Sequence, residues 1–248
     1  MIARAVAWLR LLGVPAWTLL CYGGWLLAPA LGSGARPRVV RGWARGLLRM
    51  LRIRVEWSGP RPEAPYLLVA NHLGYLDVPV LASGLDVVFV AKRDVRDWPL
   101  FGPLARAIGT IFVDRTAARD ALRVERLMRD ALEGGRNVVL FAEGTSSDGS
   151  RVLPLRTALL DWAAREQRAV ATATLTYLTH PFDPPAGRSL CWWGDMTFLP
   201  HLRQVCRLQP SLARVALAGP VTAPDRRSLA DRLHRTLTTN LVPSGHVH

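Results

Sequence analysis

At 248 residues the chain is long enough for one catalytic domain with a short appendage, and half of its residues are hydrophobic. The 32 Lys and Arg against 19 Asp and Glu leave a formal charge of +13, which fits an anionic partner surface, either nucleic acid or lipid. Cys21, Cys191 and Cys206 show no CxxC or paired spacing, which argues against a disulfide framework or a zinc site and implies no metal.

From Leu11 to Ala35 no residue is charged, and Trp8, Trp17, Tyr22 and Trp25 are the amphipathic aromatics of a headgroup zone. That length crosses a hydrocarbon core as a helix. Pro15 and Pro29 make a bent or re-entrant pair of short helices an equal alternative. A signal peptide competes through Ala28-Pro29-Ala30, but the apolar stretch exceeds a usual signal core. Arg41, Arg45, Arg49 and Arg52 follow on one helical face, with Trp43, Leu47, Met50 and Leu51 on another. A basic amphipathic helix of this kind lies in a membrane interface and attracts anionic lipids. Nucleic acid is the poorer partner, because no helix-turn-helix or aromatic stacking pattern accompanies the charge. The positive-inside rule puts the basic side at the cytoplasmic face of the inner membrane.

Ser58 to Pro65 reads as a linker, so the expected organisation is a membrane-anchoring segment over residues 1–57 and a catalytic domain over residues 58–248. Strands are expected at Tyr66–Ala70, Val87–Ala91, Ile111–Val113, Val138–Phe141, Val170–Leu175 and Arg214–Leu217. Between them lie helical patterns, clearest over Ala118–Glu133, where Val124, Leu127, Met128 and Ala131 form the apolar stripe and Gly134-Gly135 the stop. Another helix is expected after Pro154. The fold class is therefore α/β, a mixed sheet flanked by helices.

The apolar run Tyr66–Ala70 ends abruptly in Asn71-His72-Leu73-Gly74-Tyr75-Leu76-Asp77. Side chains at such a strand end emerge into a crevice. Histidine titrates near neutrality and can take a proton from an alcohol, and Asp77 is close enough in sequence to hold the second ring nitrogen. Alone, HxxxxD is weak, since a histidine beside a strand is more often structural.

Further motifs strengthen it. His72 through Asp77, then Gly109-Thr110-Ile111-Phe112-Val113-Asp114-Arg115, then Phe141-Ala142-Glu143-Gly144-Thr145 resemble, in order, three signature blocks of the glycerolipid acyltransferases, typified by lysophosphatidic acid acyltransferase. The likeness runs from about Tyr66 to Leu160. It implies a single acyltransferase domain and direct transfer of a fatty acyl group, from acyl-carrier protein or acyl-CoA, to a lysolipid hydroxyl. His72 is then the general base and Asp77 its orienting carboxylate. No cofactor is implied. Oxyanion donors are sought among the backbone N–H groups around Gly74 or Gly144. By the same resemblance Arg115 contacts an acceptor phosphate, and Glu143, Gly144 and Thr145 line the substrate site; Lys92, the only lysine in an arginine-biased chain, is a candidate for a second phosphate contact, with a plain surface residue the equal alternative.

Two departures bear on the acceptor. Ser146 follows the third block where the family often has arginine, and Ala142 and Thr172 stand where prolines are usual. Ser146-Ser147-Asp148-Gly149 and Trp193-Gly194-Asp195-Met196 also resemble a branch that includes lyso-ornithine lipid acyltransferases. The first acceptor is thus 1-acyl-glycerol-3-phosphate, with lyso-ornithine lipid as the alternative. A non-catalytic lipid-binding protein is the alternative of another class, disfavoured by the intact His72 and Asp77. A hydrolase is disfavoured by the missing GxSxG elbow. Trp192, Trp193 and Tyr177 fit core packing better than an acyl tunnel.

Overall fold

The computed structural model describes residues 2–32, 34–98, 101–114 and 120–247. It opens on an unbroken helix α1 (Ile2–Leu27), which carries Pro15 inside it and passes through a short 3-10 turn (Ala28–Leu31) towards α2 (Ala35–Met50). The catalytic part follows as β1 (Ile53–Ser58), β2 (Leu67–Ala70), α3 (Asp77–Ala82), β3 (Val87–Lys92), α4 (Phe101–Ala107) and β4 (Ile111–Val113). After these come α5 (Asp120–Glu133), β5 (Asn137–Phe141), α6 (Asp161–Arg165), β6 (Val170–Thr179), α7 (Ala186–Ser189), α8 (Phe198–Val205), β7 (Ser211–Val221), α9 (Arg226–Asn240) and β8 (Gly245–His246).

The strands form one mixed sheet in the order β1-β7-β6-β2-β5-β3-β4, with β8 paired to the end of β6. From β6 to β4 all neighbours are parallel, whereas β7 runs antiparallel to β6 and β1 parallel to β7. The central strands read as nearly continuous apolar runs because both faces are covered. Alternate residues divide between two cores. Leu68, Ala70, Val139, Phe141, Ala173 and Leu175 face α2, α3 and α8. Leu67, Val69, Val138, Leu140 and Val170 face α5, α6 and α9.

Two features of the N-terminal region differ from the expectation. The boundary placed between residues 57 and 58 falls inside β1, whose residues Ile53 to Ser58 pair with Ser211 to Ala216 of β7. Arg52 adopts a left-handed φ of 58° just before β1, so it leaves the helical stripe of Arg41, Arg45 and Arg49. The apolar face of α2 is also committed. Trp43, Ala44, Leu47, Leu48 and Leu51 are buried in the core. Each buried leucine contributes about 1.5–3 kcal/mol, so α2 belongs to the folded domain rather than lying free in an interface. Trp43 Nε1 donates to Thr18 Oγ1 at 3.2 Å and Trp17 Nε1 to Trp43 O at 3.0 Å, which ties α1 to α2. Arg10 ties α1 to the catalytic part through Cys206 O at 3.1 Å.

The exposed apolar surface lies instead on α1, where Leu9, Leu12, Leu20 and Leu27 face outward. Among the described residues, Ala5–Ala30 is the helical segment long and apolar enough to cross a membrane, and only 17% of its apolar 18-residue window is buried.

Candidate active site

The site is assembled where β2 stops. Its last residue, Ala70, pairs with Ala173 of β6. Beyond it the Asn71 side chain replaces the backbone ladder: Nδ2 donates to Leu175 O at 2.9 Å and Oδ1 accepts from Leu175 N at 2.7 Å. The chain then turns out of the sheet through Gly74, whose φ is +143°. A Cβ at this position would stand 2.9 Å from both Trp192 Cβ and Trp192 N, so only glycine fits. Trp192 N in turn donates to Leu73 O at 2.7 Å and closes the turn.

Asp77 opens α3 and is completely buried. Oδ2 accepts from Leu73 N at 2.7 Å and Gly74 N at 3.1 Å, and stands 2.7 Å from His72 Nδ1. Oδ1 accepts from Tyr177 Oη at 2.7 Å. A buried carboxylate is costly unless its lone pairs are filled, and here both oxygens are occupied. Because Oδ2 already acts as acceptor for two amides, the proton between it and His72 belongs to Nδ1. Nε2 is therefore left as the ring's lone pair, and it has no hydrogen-bond partner among the described residues. The imidazole stacks on Phe141 with centroids 4.3 Å apart, and its side chain is 23% exposed. The site thus presents a tautomer-fixed base to the outside.

Tyr177, expected from the sequence to be core packing, sits in the core and also reaches the site. It is fully buried, and burial, with the Asp77 charge beside it, holds its phenol well above the ordinary tyrosine range, so it remains a donor. The available signal was the strand period: Ala173, Leu175 and Tyr177 point to one face of β6, the face on which His72 lies.

The third block enters from β5. Ser147 N donates to His72 O at 2.9 Å and fixes the block against the base. Glu143 is 3% exposed, and neither carboxylate oxygen has a hydrogen-bond partner among the described residues. The backbone amides of Leu153 and His72 favour its charged form. Burial dominates, reinforced by the Asp77 charge, and pushes the Glu143 carboxyl up to about 8. Between pH 4.5 and about 8 the folded chain keeps a proton that the unfolded chain has released. Stability therefore falls as pH rises through that window. Glu143→Gln is expected to flatten this slope in thermal melts across the window. A variant with the wild-type slope would place the titration elsewhere.

The two amides sought for an oxyanion are already engaged: Gly74 N–H on Asp77 Oδ2, and Gly144 N–H on Phe141 O at 3.2 Å.

Residues 52–176, half of the chain, match the Acyltransferase family model. The chain belongs to the acyltransferase family. Among curated acyltransferases it is 33% identical to the lyso-ornithine lipid O-acyltransferase of Brucella abortus, over 81% of this chain and 80% of that one. It is 31% identical to the Pseudomonas aeruginosa protein of the same name, over 88% and 83%. It is 29% identical to the 1-acyl-sn-glycerol-3-phosphate acyltransferase of Neisseria meningitidis, over 82% and 80%. Its fold matches the crystal structure of the acyltransferase PlsC from Thermotoga maritima with a TM-score of 0.62 at 16% identity, covering 93% of this chain and 96% of that one.

The remaining residues expected to line the acyltransferase site are spread along the C-terminal rim of the parallel strands. Thr145 is exposed in the turn after β5. Lys92 ends β3, two strands from β2, which at strand spacing is about 10 Å from His72. It is ion-paired with Asp94 and more than half exposed. Arg115 lies outside the described residues. Its neighbour Asp114, at the end of β4, pairs with Arg93 at 3.1 Å. Thr172, where the family usually has proline, sits at a register irregularity between β6 and β7. A break in the ladder is where a strand tolerates proline, and here threonine occupies it, with Oγ1 on Ala218 O at 3.3 Å.

Proposed function

We propose that this acyltransferase moves a fatty acyl group from a thioester, acyl-carrier protein or acyl-CoA, directly to the free hydroxyl of a lysolipid at the cytoplasmic face of the inner membrane. The observation that carries the reading is the His72–Asp77 pair, whose Oδ2 accepts from Leu73 N and Gly74 N and so leaves the shared proton to Nδ1. His72 Nε2 takes the hydroxyl proton as the oxygen attacks the thioester carbon. The tetrahedral intermediate collapses with cleavage of the C–S bond. The imidazolium then returns the proton to the departing thiolate, so ester and free thiol leave together. Asp77 stabilises the imidazolium between these steps. No covalent acyl-enzyme is required.

Tyr177 is a positioning residue in this scheme, because its hydroxyl holds the oxygen of Asp77 that His72 does not use. Loss of a hydrogen bond to a charged group costs about 1.5–3 kcal/mol. Tyr177→Phe is accordingly expected to lower kcat about 10- to 100-fold with little change in acceptor KM. A wild-type kcat and pH profile would remove Tyr177 from the scheme.

An apolar cavity of about 120 Å³ suits the acyl chain. It is lined by Tyr75, Leu76, Phe89, Trp98 and Phe198, with Leu47 from α2. Tyr75 and Leu76 lie between His72 and Asp77 in sequence, which brings the cavity up to the base. The outward leucines of α1 anchor the chain in the bilayer, and exposed arginines such as Arg49 meet anionic lipid headgroups. Arg45 has a structural task as well, donating to Ser83 O at 2.9 Å.

Two acceptors have specific support. Asp114-Arg115 of the second block favours 1-acyl-glycerol-3-phosphate. Ser146, together with the higher identity to proteins named for lyso-ornithine lipid, favours that lipid. The test is acyl transfer by membranes containing the full chain, with both acceptors offered side by side and with acyl-carrier-protein and CoA donors. Turnover with either supports the reading and selects the acceptor, and turnover with neither sinks it.

A further inference from the structure

Arg156 lies across the turn that follows β5. Its backbone N–H donates to Ala142 O at 2.7 Å, which draws the irregular segment after Gly149 back over the third block. Gly144 has φ +74°, and a Cβ built there would stand 2.4 Å from Arg156 Nε and 2.6 Å from its Cδ. The arginine side chain thus fills the space that any side chain at position 144 would need, and glycine both makes the turn and admits it.

Arg156 is exposed, and its side chain has no ion-pair or hydrogen-bond partner among the described residues. It lines a cavity of about 320 Å³ together with Asp114, Phe141, Ala142 and Gly144. The Asp114 carboxylate in that cavity is matched by Arg93 at 3.1 Å. Phe141, on which the His72 imidazole stacks, also borders this cavity. Position 146, where the family resemblance leads one to expect an arginine, is a half-buried serine. A guanidinium is therefore supplied to the third block from ten residues further along the chain.

We propose that Arg156 binds the anionic group of the acceptor's head in this cavity, an oxyanion of phosphomonoester or carboxylate type. The proposal rests on the reading of the chain as a lysolipid O-acyltransferase. A planar fork of donors pairs with two oxygens of either group, whereas a serine hydroxyl supplies one donor and no charge.

The experiment uses membranes carrying the full chain, as wild type, Arg156→Ala and Arg156→Lys. Each is assayed with 1-acyl-glycerol-3-phosphate, lyso-ornithine lipid and uncharged monoacylglycerol. Loss of a hydrogen-bonded ionic contact made equally in ground and transition states appears in KM. Arg156→Ala is expected to raise KM for the charged acceptor about 10- to 100-fold, with Arg156→Lys intermediate and the donor KM unmoved. An effect confined to the phosphate lipid identifies a phosphomonoester as the bound group. An effect confined to the ornithine lipid identifies a carboxylate. An unchanged KM in Arg156→Ala, or a loss shared equally by the uncharged acceptor, overturns the proposal while leaving the acyltransferase reading intact. A wild-type chain that acylates none of the three overturns that reading, and the role of Arg156 with it.

Discussion

Replacing His72 with alanine is expected to lower kcat for acyl transfer by about 100- to 10,000-fold, the range over which a positioned general base accelerates proton transfer. The loss should fall in kcat, because His72 lines neither of the two cavities proposed for the acyl chain and the acceptor head. The fold should survive. His72 is 23% exposed, and its removal relieves the stack on Phe141 without opening either main core. Asp77 keeps its two backbone donors and Tyr177, so the carboxylate is not stranded. Steady-state kinetics on membranes, with protein level and thermal midpoint checked in parallel, measures this. Near-wild-type turnover in the variant would end the general-base mechanism. A collapse of stability would mean that the ring is structural.

The parts of the molecule that are legible in its sequence are those whose physics is local. The central strands are apolar throughout because both sheet faces are covered. The turn after β2 has to leave the sheet at Asn71 because that side chain takes up the hydrogen bonds the next strand residue would have made. His72 and Asp77 are five residues apart and meet within one turn, so sequence proximity and the motif suffice. β1 is different. Ile53, Val55 and Trp57 alternate with Arg54, Glu56 and Ser58, a strand signature, yet the arginine spacing that extends through Arg52 draws the reading towards helix. The left-handed residue at 52 ends that helix, and positive φ at an arginine has no marker in composition. Tyr177 and Arg156 are illegible for another reason. Tyr177 meets Asp77 across 100 residues of chain through the pairing of β2 with β6. Arg156 meets Gly144 because a loop folds back. Neither contact has a spacing to recognise.

The Asp77→Asn variant separates two roles that a carboxylate plays beside a histidine. In a pair whose carboxylate is held only by the ring, the amide can turn its NH2 towards the imidazole and reverse the tautomer. Here the backbone forbids that orientation. The position of Oδ2 faces the N–H groups of Leu73 and Gly74, and an NH2 placed there would oppose two donors. The asparagine oxygen must take that place, with its nitrogen turned to the Tyr177 hydroxyl, which can accept. His72 then keeps its proton on Nδ1 and its lone pair on Nε2, and only the negative charge is lost. A carboxylate at this distance stabilises a neighbouring cation by about 1.4–4 kcal/mol. The variant is therefore expected to lose about 10- to 1,000-fold in kcat, less than His72→Ala, through a less stable imidazolium. A loss as large as that of His72→Ala would mean that the tautomer has reversed, and that the amides of Leu73 and Gly74 do not fix the orientation at position 77.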